Sequence, residues 1–260
     1  MALAPENSAA SFALAQKSGA DEIELDVRVT GDGVPIVLHD RTLKRLAAEP
    51  GPFVDTPVDQ LSLAQLHTVA LSGGQRALTF AEVLAMTEVD LQVEIKDASA
   101  VHAMAKLLAN APEHKARIKF SSFLPEALFL LNLYLPAVPR GLIVGTFPAT
   151  RQQRQELDEM LITTGVSTLY SGFGNLTKAD VRRLHTADID IHVWPLTCAQ
   201  DVRRALELGS DGGTADDPAK AMEWLAAERT STSPQTRKAS WPDRTTVCQH
   251  HPRDVGAPKA

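Results

Sequence analysis

The chain has little of what several protein classes depend on. Its 260 residues hold two cysteines, Cys198 and Cys248, far apart and without a CxxC pairing. That excludes a disulfide framework and a thiolate zinc site, and it suits a reducing compartment. Long hydrophobic runs are missing: the most apolar stretch, Ala127 to Leu135, is broken by Asn132 and is about half the ~20 residues that a bilayer crossing requires. The first residues lack a basic cluster and place Pro5 and Glu6 where an export signal needs its apolar segment. No cleaved leader is expected, and the chain reads as cytoplasmic. Positive charge is scarce in the body, where residues 1–228 carry 20 Lys/Arg against 30 Asp/Glu, whereas residues 229–260 carry six against two. So acidic a body argues against nucleic acid as a partner.

What is present is the composition of a globular protein with one sizeable core, 44% hydrophobic and 22% charged. Short apolar or alternating runs at Glu22 to Thr30, Leu91 to Lys96, Arg117 to Ser122, Arg140 to Gly145, Val166 to Tyr170, Ile189 to Trp194 and Ser210 to Ala215 predict strands. Helical segments lie between them, marked by Thr79 with Glu82 as a capping box, by Thr177 ahead of Lys178 to Thr186, and by Gly209 closing Ala199 to Leu208. Pro35 to Leu38 follows the turn at Thr30 to Gly33 and predicts a hairpin return from the first strand. Alternating strands and helices over this length fit an open doubly wound sheet or a closed (β/α)8 TIM barrel, and the length favours the barrel. The chain opens with a helix, Ser8 to Ser18, with Asn7 as expected N-cap and Gly19 as its stop. A barrel built from this chain lacks its first strand. From Arg229 onward, Ser, Thr, Pro and charge without apolar period predict a disordered polar tail over 229–260, and its His250 and His251 receive no function.

Glu22, Glu24, Asp26 and Arg28 alternate with Ile23, Leu25, Val27 and Val29, giving one strand an acidic face and an apolar face. Taken alone, a half-exposed antiparallel strand has the same pattern. A second strand repeats it, with Glu94 and Lys96 opposite Val93 and Ile95. In a parallel barrel the apolar faces meet the outer helices, so Glu24, Asp26, Glu94 and Lys96 point into the lumen and need a compensating cation. Three carboxylates are hard oxygen ligands suited to Mg2+ or Ca2+. Lys96 holds a phosphate as a point charge or serves as a plain ion-pair partner. His39 ends the hairpin strand beside the mouth, as a proton carrier or as one of several structural histidines. Trp194 shares a strand face with His192 and is read as a pocket wall or a core aromatic.

The segment PENSAASFALAQKSGADEIELDVRVTGDGVPIVLHDRTLKR, Pro5 to Arg45, resembles the signature of the glycerophosphodiester phosphodiesterase family. The resemblance continues through VEIK (Val93 to Lys96), SSF (Ser121 to Phe123), HVW (His192 to Trp194) and GSDGGTAD (Gly209 to Asp216). It implies a (β/α)8 barrel that uses a divalent cation to hydrolyse glycerophosphodiesters to an alcohol and glycerol 3-phosphate. It also implies that Glu24, Asp26 and Glu94 are metal ligands, His39 one of two acid-base histidines and Lys96 the lysine of the site. Trp194 and Phe123 match aromatics at the substrate pocket. The family pattern starts with a strand ending in His-Arg-Gly just before PEN, which this chain does not contain, so one catalytic histidine and a phosphate-binding arginine are missing from it. Pro195 and Thr197 stand where the family usually has Thr and Asn, and Gly213 and Thr214 replace a branched apolar pair.

The expectation is an incomplete TIM-barrel phosphodiesterase domain over 1–228, acting on a small glycerophosphodiester in lipid or glycerol metabolism, with turnover weakened by the missing motif. The natural chain is expected to begin upstream of Met1. Oligomeric state is left open. The rival readings are a non-catalytic remnant that binds cation or phosphodiester, and an unrelated metal-dependent barrel lyase or aldolase.

Overall fold

The structure, a computed structural model, describes residues 3–231 and 246–247. The chain enters through helix α1 (Ala9–Lys17), capped by Ser8, whose hydroxyl accepts from the Ser11 amide in a capping box. Asn7, expected as the cap, precedes it at φ 52°, a left-handed conformation that Asn tolerates. Strands β1 (Glu22–Val29) and β2 (Pro35–Val37) form the expected hairpin, with Val27 opposite Val37. The following excursion contains the one-turn α2 (Leu63–Leu66) and returns through β3 (Leu78–Thr79), antiparallel to β2. It packs its own small core from Ile36, Leu43, Val58 and Leu66.

From there helices and strands alternate. They are α3 (Phe80–Met86), β4 (Asp90–Ile95), α4 (Ala100–Asn110), β5 (Ile118–Ser122), α5 (Pro125–Tyr134), β6 (Arg140–Val144) and α6 (Arg151–Thr164). Then come β7 (Thr168–Gly172), α7 (Lys178–Thr186), β8 (Asp190–Trp194), α8 (Ala199–Leu208), β9 (Gly212–Ala215) and α9 (Pro218–Ser231). β1 and β4 to β9 pair in parallel, each with the next. The two-residue β10 (Thr246–Val247) lies parallel between β9 and β1 and completes a ring of eight parallel strands. The fold is a (β/α)8 TIM barrel. The place beside β1, where the sequence reading expected a strand to be lacking, holds residues from late in the chain.

The boundary at Arg229 also needs revision, because α9 runs on to Ser231 and β10 falls inside the segment read as a tail. The remainder of that segment, including His250 and His251, lies outside the described residues. No helix among the described residues is long and apolar enough to cross a membrane.

Alternation along the strands decides which side chains face where. Ile23, Leu25, Val27, Val93, Ile95, Phe120, Leu169, Ile191 and Val193 join one buried cluster with Phe12, Phe80 and Leu128 of the helices. Their strand neighbours Glu24, Asp26, Gln92, Glu94, Ser121, Tyr170 and His192 are equally buried and fill the lumen instead. The centre of this barrel is therefore polar. Two glycines make room there: a Cβ on Gly141 would sit 2.4 Å from the Tyr170 ring, and one on Gly212 would sit 2.7 Å from the His192 ring.

Candidate active site

Glu24 and Asp26 belong to β1, and Glu94 to its neighbour β4, where Glu94 lies directly opposite Asp26. One oxygen from each of the three buried carboxylates lies within 4.8 Å of the others. Lys96, one residue past the end of β4, places Nζ 3.0 Å from Asp26 Oδ1 and 2.7 Å from Glu94 Oε1. The structure brings together the four lumen residues singled out in the sequence, with Lys96 as an ion-pair partner of two of the carboxylates. Hard, mutually repelling oxygens gathered at this spacing fit a divalent cation, whose charge would neutralise what Lys96 leaves over.

Burial and charge separate the two carboxylates that Lys96 bridges. Burial raises the Asp26 pKa, but Lys96, His39 and the Asn7 hydrogen bond together outweigh it and hold that carboxyl below its ordinary value. Glu94 goes the other way, raised by burial and by the Asp26 charge against the pull of Lys96. Lys96 loses solvation, yet Asp26 and Glu94 keep its ammonium firmly protonated, well above the ordinary lysine range.

Asn7 shows why it is not a helix cap. Its side-chain Nδ2 donates to Asp26 Oδ2 at 2.8 Å, and its Oδ1 accepts from the Asp26 amide at 3.3 Å. The amide is thereby committed to orienting a candidate metal ligand 19 residues away, a pairing with no periodic signature in the sequence.

His39 follows β2 at the same end of the barrel. Its Nδ1 lies 2.8 Å from Asp40 Oδ1, and Arg45 Nε donates to Asp40 Oδ2 at 2.6 Å. Arg45 also pairs with Glu6. The His39 and Arg45 hydrogen bonds keep the Asp40 carboxyl well below the usual range despite its partial burial. An ionised Asp40 fixes the Nδ1–H tautomer of His39 and leaves Nε2 to take or give a proton. The Asp40, Arg45 and Glu6 supports were not recognised from sequence, although all three lie within the signature segment.

A cavity of about 620 Å3 opens beside His39, with Arg28, Asp40, Arg41, Lys44 and Arg45 in its wall. Arg28 Nε donates to the His39 carbonyl at 2.9 Å. Burial pulls the Arg28 pKa below its ordinary value, against the opposing attraction of Asp26. Arg28 was legible as the last polar residue on the acidic face of β1, but carried no assigned role. Phe123, 40% exposed, and Trp194 meet edge to face with ring centroids 6.1 Å apart, so the two expected pocket aromatics lie against each other. His192, the residue two before Trp194, is buried against Tyr170. Burial, with a contribution from Lys119, lowers its pKa to about 3. Its imidazole is therefore held neutral inside the lumen.

Known proteins are similar to this chain over most of its length. The model described as "Glycerophosphoryl diester phosphodiesterase family" matches residues 1–220. The "Probable glycerophosphodiester phosphodiesterase 2" of Mycobacterium tuberculosis is 28% identical over 222 residues, covering 82% of each chain. The glycerophosphodiester phosphodiesterase of Caldanaerobacter subterraneus subsp. tengcongensis is 26% identical over 223 residues, which cover 82% of this chain and 89% of the relative. Among solved structures, an Oleispira antarctica phosphodiesterase in complex with the product sn-glycerol-3-phosphate superposes with a TM-score of 0.74 at 22% identity, covering 86% of this chain and 93% of that one.

Proposed function

Starting from the fact that this chain belongs to the glycerophosphoryl diester phosphodiesterase family, we propose that it hydrolyses small glycerophosphodiesters to an alcohol and glycerol 3-phosphate at the barrel mouth. Membership makes the chain a phosphodiesterase and removes the lyase or aldolase reading. The observation that carries the residue assignment is the convergence of Glu24, Asp26 and Glu94 around one point beside Lys96 and His39.

In this reading Glu24, Asp26 and Glu94 hold Mg2+ or Ca2+. When bound, the cation supplies Lewis-acid polarisation of a phosphoryl oxygen. Lys96 keeps the carboxylate cluster from excess negative charge and faces the phosphate as a second positive centre. His39 carries the proton through Nε2 while Asp40 holds Nδ1, and Asn7 fixes the Asp26 carboxylate. Arg28, at the wall of the cavity, offers its guanidinium to a phosphate oxygen. Phe123 and Trp194, which meet each other edge to face rather than line the cavity beside His39, are assigned the apolar contacts to substrate.

With His39 as the one imidazole assigned here to proton transfer, a second acid-base group would add a contribution typically worth about 10²–10⁴-fold. Turnover by this chain is therefore expected to fall below that of a version extended upstream by a strand ending in His-Arg-Gly. The test is release of glycerol 3-phosphate from glycerophosphocholine in Mg2+ or Ca2+ by both forms, with Glu94→Gln as control. The expected result is slow release by this chain, faster release by the extended form and none by either Glu94→Gln variant. Equal rates in the two forms would remove the second histidine from the argument, and no product from either would refute the proposed reaction.

A further inference from the structure

We infer that the cavity beside His39 receives an alcohol carrying its own negative charge, so that this chain prefers glycerophosphodiesters of an anionic alcohol to those of a quaternary ammonium alcohol. This rests on the reaction proposed above and names a substrate class for it. The wall of the cavity brings together Arg28, Arg41, Lys44 and Arg45 with a single carboxylate, Asp40. Residues 1–228 as a whole carry 20 Lys/Arg against 30 Asp/Glu, so the wall runs against the composition around it.

The four cations are not equivalent. Arg45 is committed to Asp40 and Glu6. Arg28 donates to the His39 carbonyl and is drawn towards Asp26, which suits it to the ester phosphate. Arg41 and Lys44 remain for the alcohol. Arg41 meets Asp59 at 3.4 Å and Lys44 meets Asp55 at 2.9 Å, and the two cationic side chains are 64% and 75% exposed. Ion pairs so exposed are worth little and give way to a ligand anion. The segment that carries both cations is nevertheless anchored, because Leu43 between them is fully buried and the Val58 amide donates to the Arg41 carbonyl at 2.9 Å.

His39 decides which part of a diester enters. Hydrolysis breaks the P–O bond to the departing alcohol, the electron pair stays on the alcohol oxygen, and that oxygen takes the proton from Nε2 while the hydroxyl of water ends on phosphorus. The alcohol therefore lies on the His39 side of the phosphorus, where the cavity opens. A choline there would set its ammonium against Arg41 and Lys44, and among the described residues the wall has no Phe, Tyr or Trp to receive it. An alcohol bearing phosphate or carboxylate meets two donors of opposite charge instead. The volume of about 620 Å3 is within the range of small-molecule sites.

The test compares glycerophosphoinositol 4-phosphate, glycerophosphoinositol and glycerophosphocholine at about 0.15 M salt, where attraction over more than about 8 Å is screened. With the full chain, kcat/KM for the phosphorylated diester should exceed that for glycerophosphocholine by roughly tenfold, with glycerophosphoinositol between them. Arg41→Gln/Lys44→Gln removes attraction for one substrate and repulsion of the other, and should cut that ratio at least about threefold. Arg41→Glu/Lys44→Glu should bring it to about one or below. A parent that prefers glycerophosphocholine, or a ratio unchanged in both variants, would overturn the inference. So would an equal fractional loss on all three substrates, which would mark a contact with the ester phosphate alone. If the parent hydrolyses none of them, the proposed reaction falls, and titration of the full chain with inositol 4-phosphate, followed by NMR, decides the cavity separately. Affinity weakened at least about threefold in Arg41→Gln/Lys44→Gln supports an anion receptor, whereas equal affinity or no uptake overturns it.

Discussion

Replacing Lys96 with Met takes the ammonium out of the carboxylate cluster while preserving most of the side-chain volume. Lys96 is 11% exposed and touches both Asp26 and Glu94, each 3% exposed. At an effective dielectric of 20, each contact near 3 Å is worth about 5 kcal/mol gross. Desolvation of the lysine opposes this, and removing one partner of a buried pair typically costs about 3–5 kcal/mol net. For a domain of this size that corresponds to a fall in Tm of roughly 6–20 °C. The deficit should be greatest at pH 8 with EDTA. Glu94 is the carboxyl whose pKa is already raised, and a raised folded pKa favours folding in the protonated state, so the deficit should shrink as the pH falls towards 5. A divalent cation at 100 times its Kd returns about 2.7 kcal/mol. Calorimetry of the parent and of Lys96→Met, each with EDTA or with Mg2+ or Ca2+, measures all of this, with the exposed Lys106→Met as control. A Lys96→Met midpoint within 2 °C of the parent in EDTA at pH 8, an estimate well inside the smallest expected fall, would show that the carboxylates are not a charged cluster held by this lysine.

Three further outcomes follow from other residues. His192 has a folded pKa of about 3 against an unfolded value near 6.5, so the stability it contributes is complete above about pH 6.5 and is lost progressively as the pH falls towards 3. The loss is roughly 2 kcal/mol at pH 5, and urea titrations of His192→Gln should show a correspondingly shallower acid slope. Asn7→Ala should destabilise the fold by about 1–3 kcal/mol and weaken cation uptake measured by titration calorimetry; unchanged uptake would separate Asn7 from the cluster. Arg28→Ala should raise KM for glycerophosphocholine by roughly tenfold or more, the scale of a charged hydrogen bond, with kcat less affected, and steady-state kinetics would detect the opposite pattern.

The parts of this molecule that were readable in the sequence are those with short periods. Alternation along β1 and β4 separates lumen from core, and it places Glu24, Asp26, Glu94 and Lys96 on one side. The hairpin was equally plain, because the turn at Thr30 to Gly33 and the run after it are local. Asn7 was misread for the converse reason: an Asn before a helix is an ordinary cap, and only the tertiary approach of β1 shows that its amide is engaged with Asp26. Arg45, Asp40 and Glu6 depend on contacts spanning up to 39 residues, which no window captures. Lys96 was left between two roles, and its contacts with Asp26 and Glu94 show the ion pair without removing the other role. β10 was overlooked because two residues carry no period. The β-branched run Thr245-Thr246-Val247 was the available sign, obscured by polar neighbours and by one partner strand, β1, more than 200 positions away.

That last separation has a consequence for synthesis. Ile23 leaves the ribosome 224 residues before its partner Val247, an interval of roughly 11–45 s at ordinary elongation rates. Until Thr246 and Val247 emerge, the residues of β1 that they pair with lack that partner, and nascent copies on one messenger are close enough to pair in its place. Slowing elongation should therefore raise the aggregated fraction of this protein more than that of a barrel whose two sealing strands are adjacent in the chain.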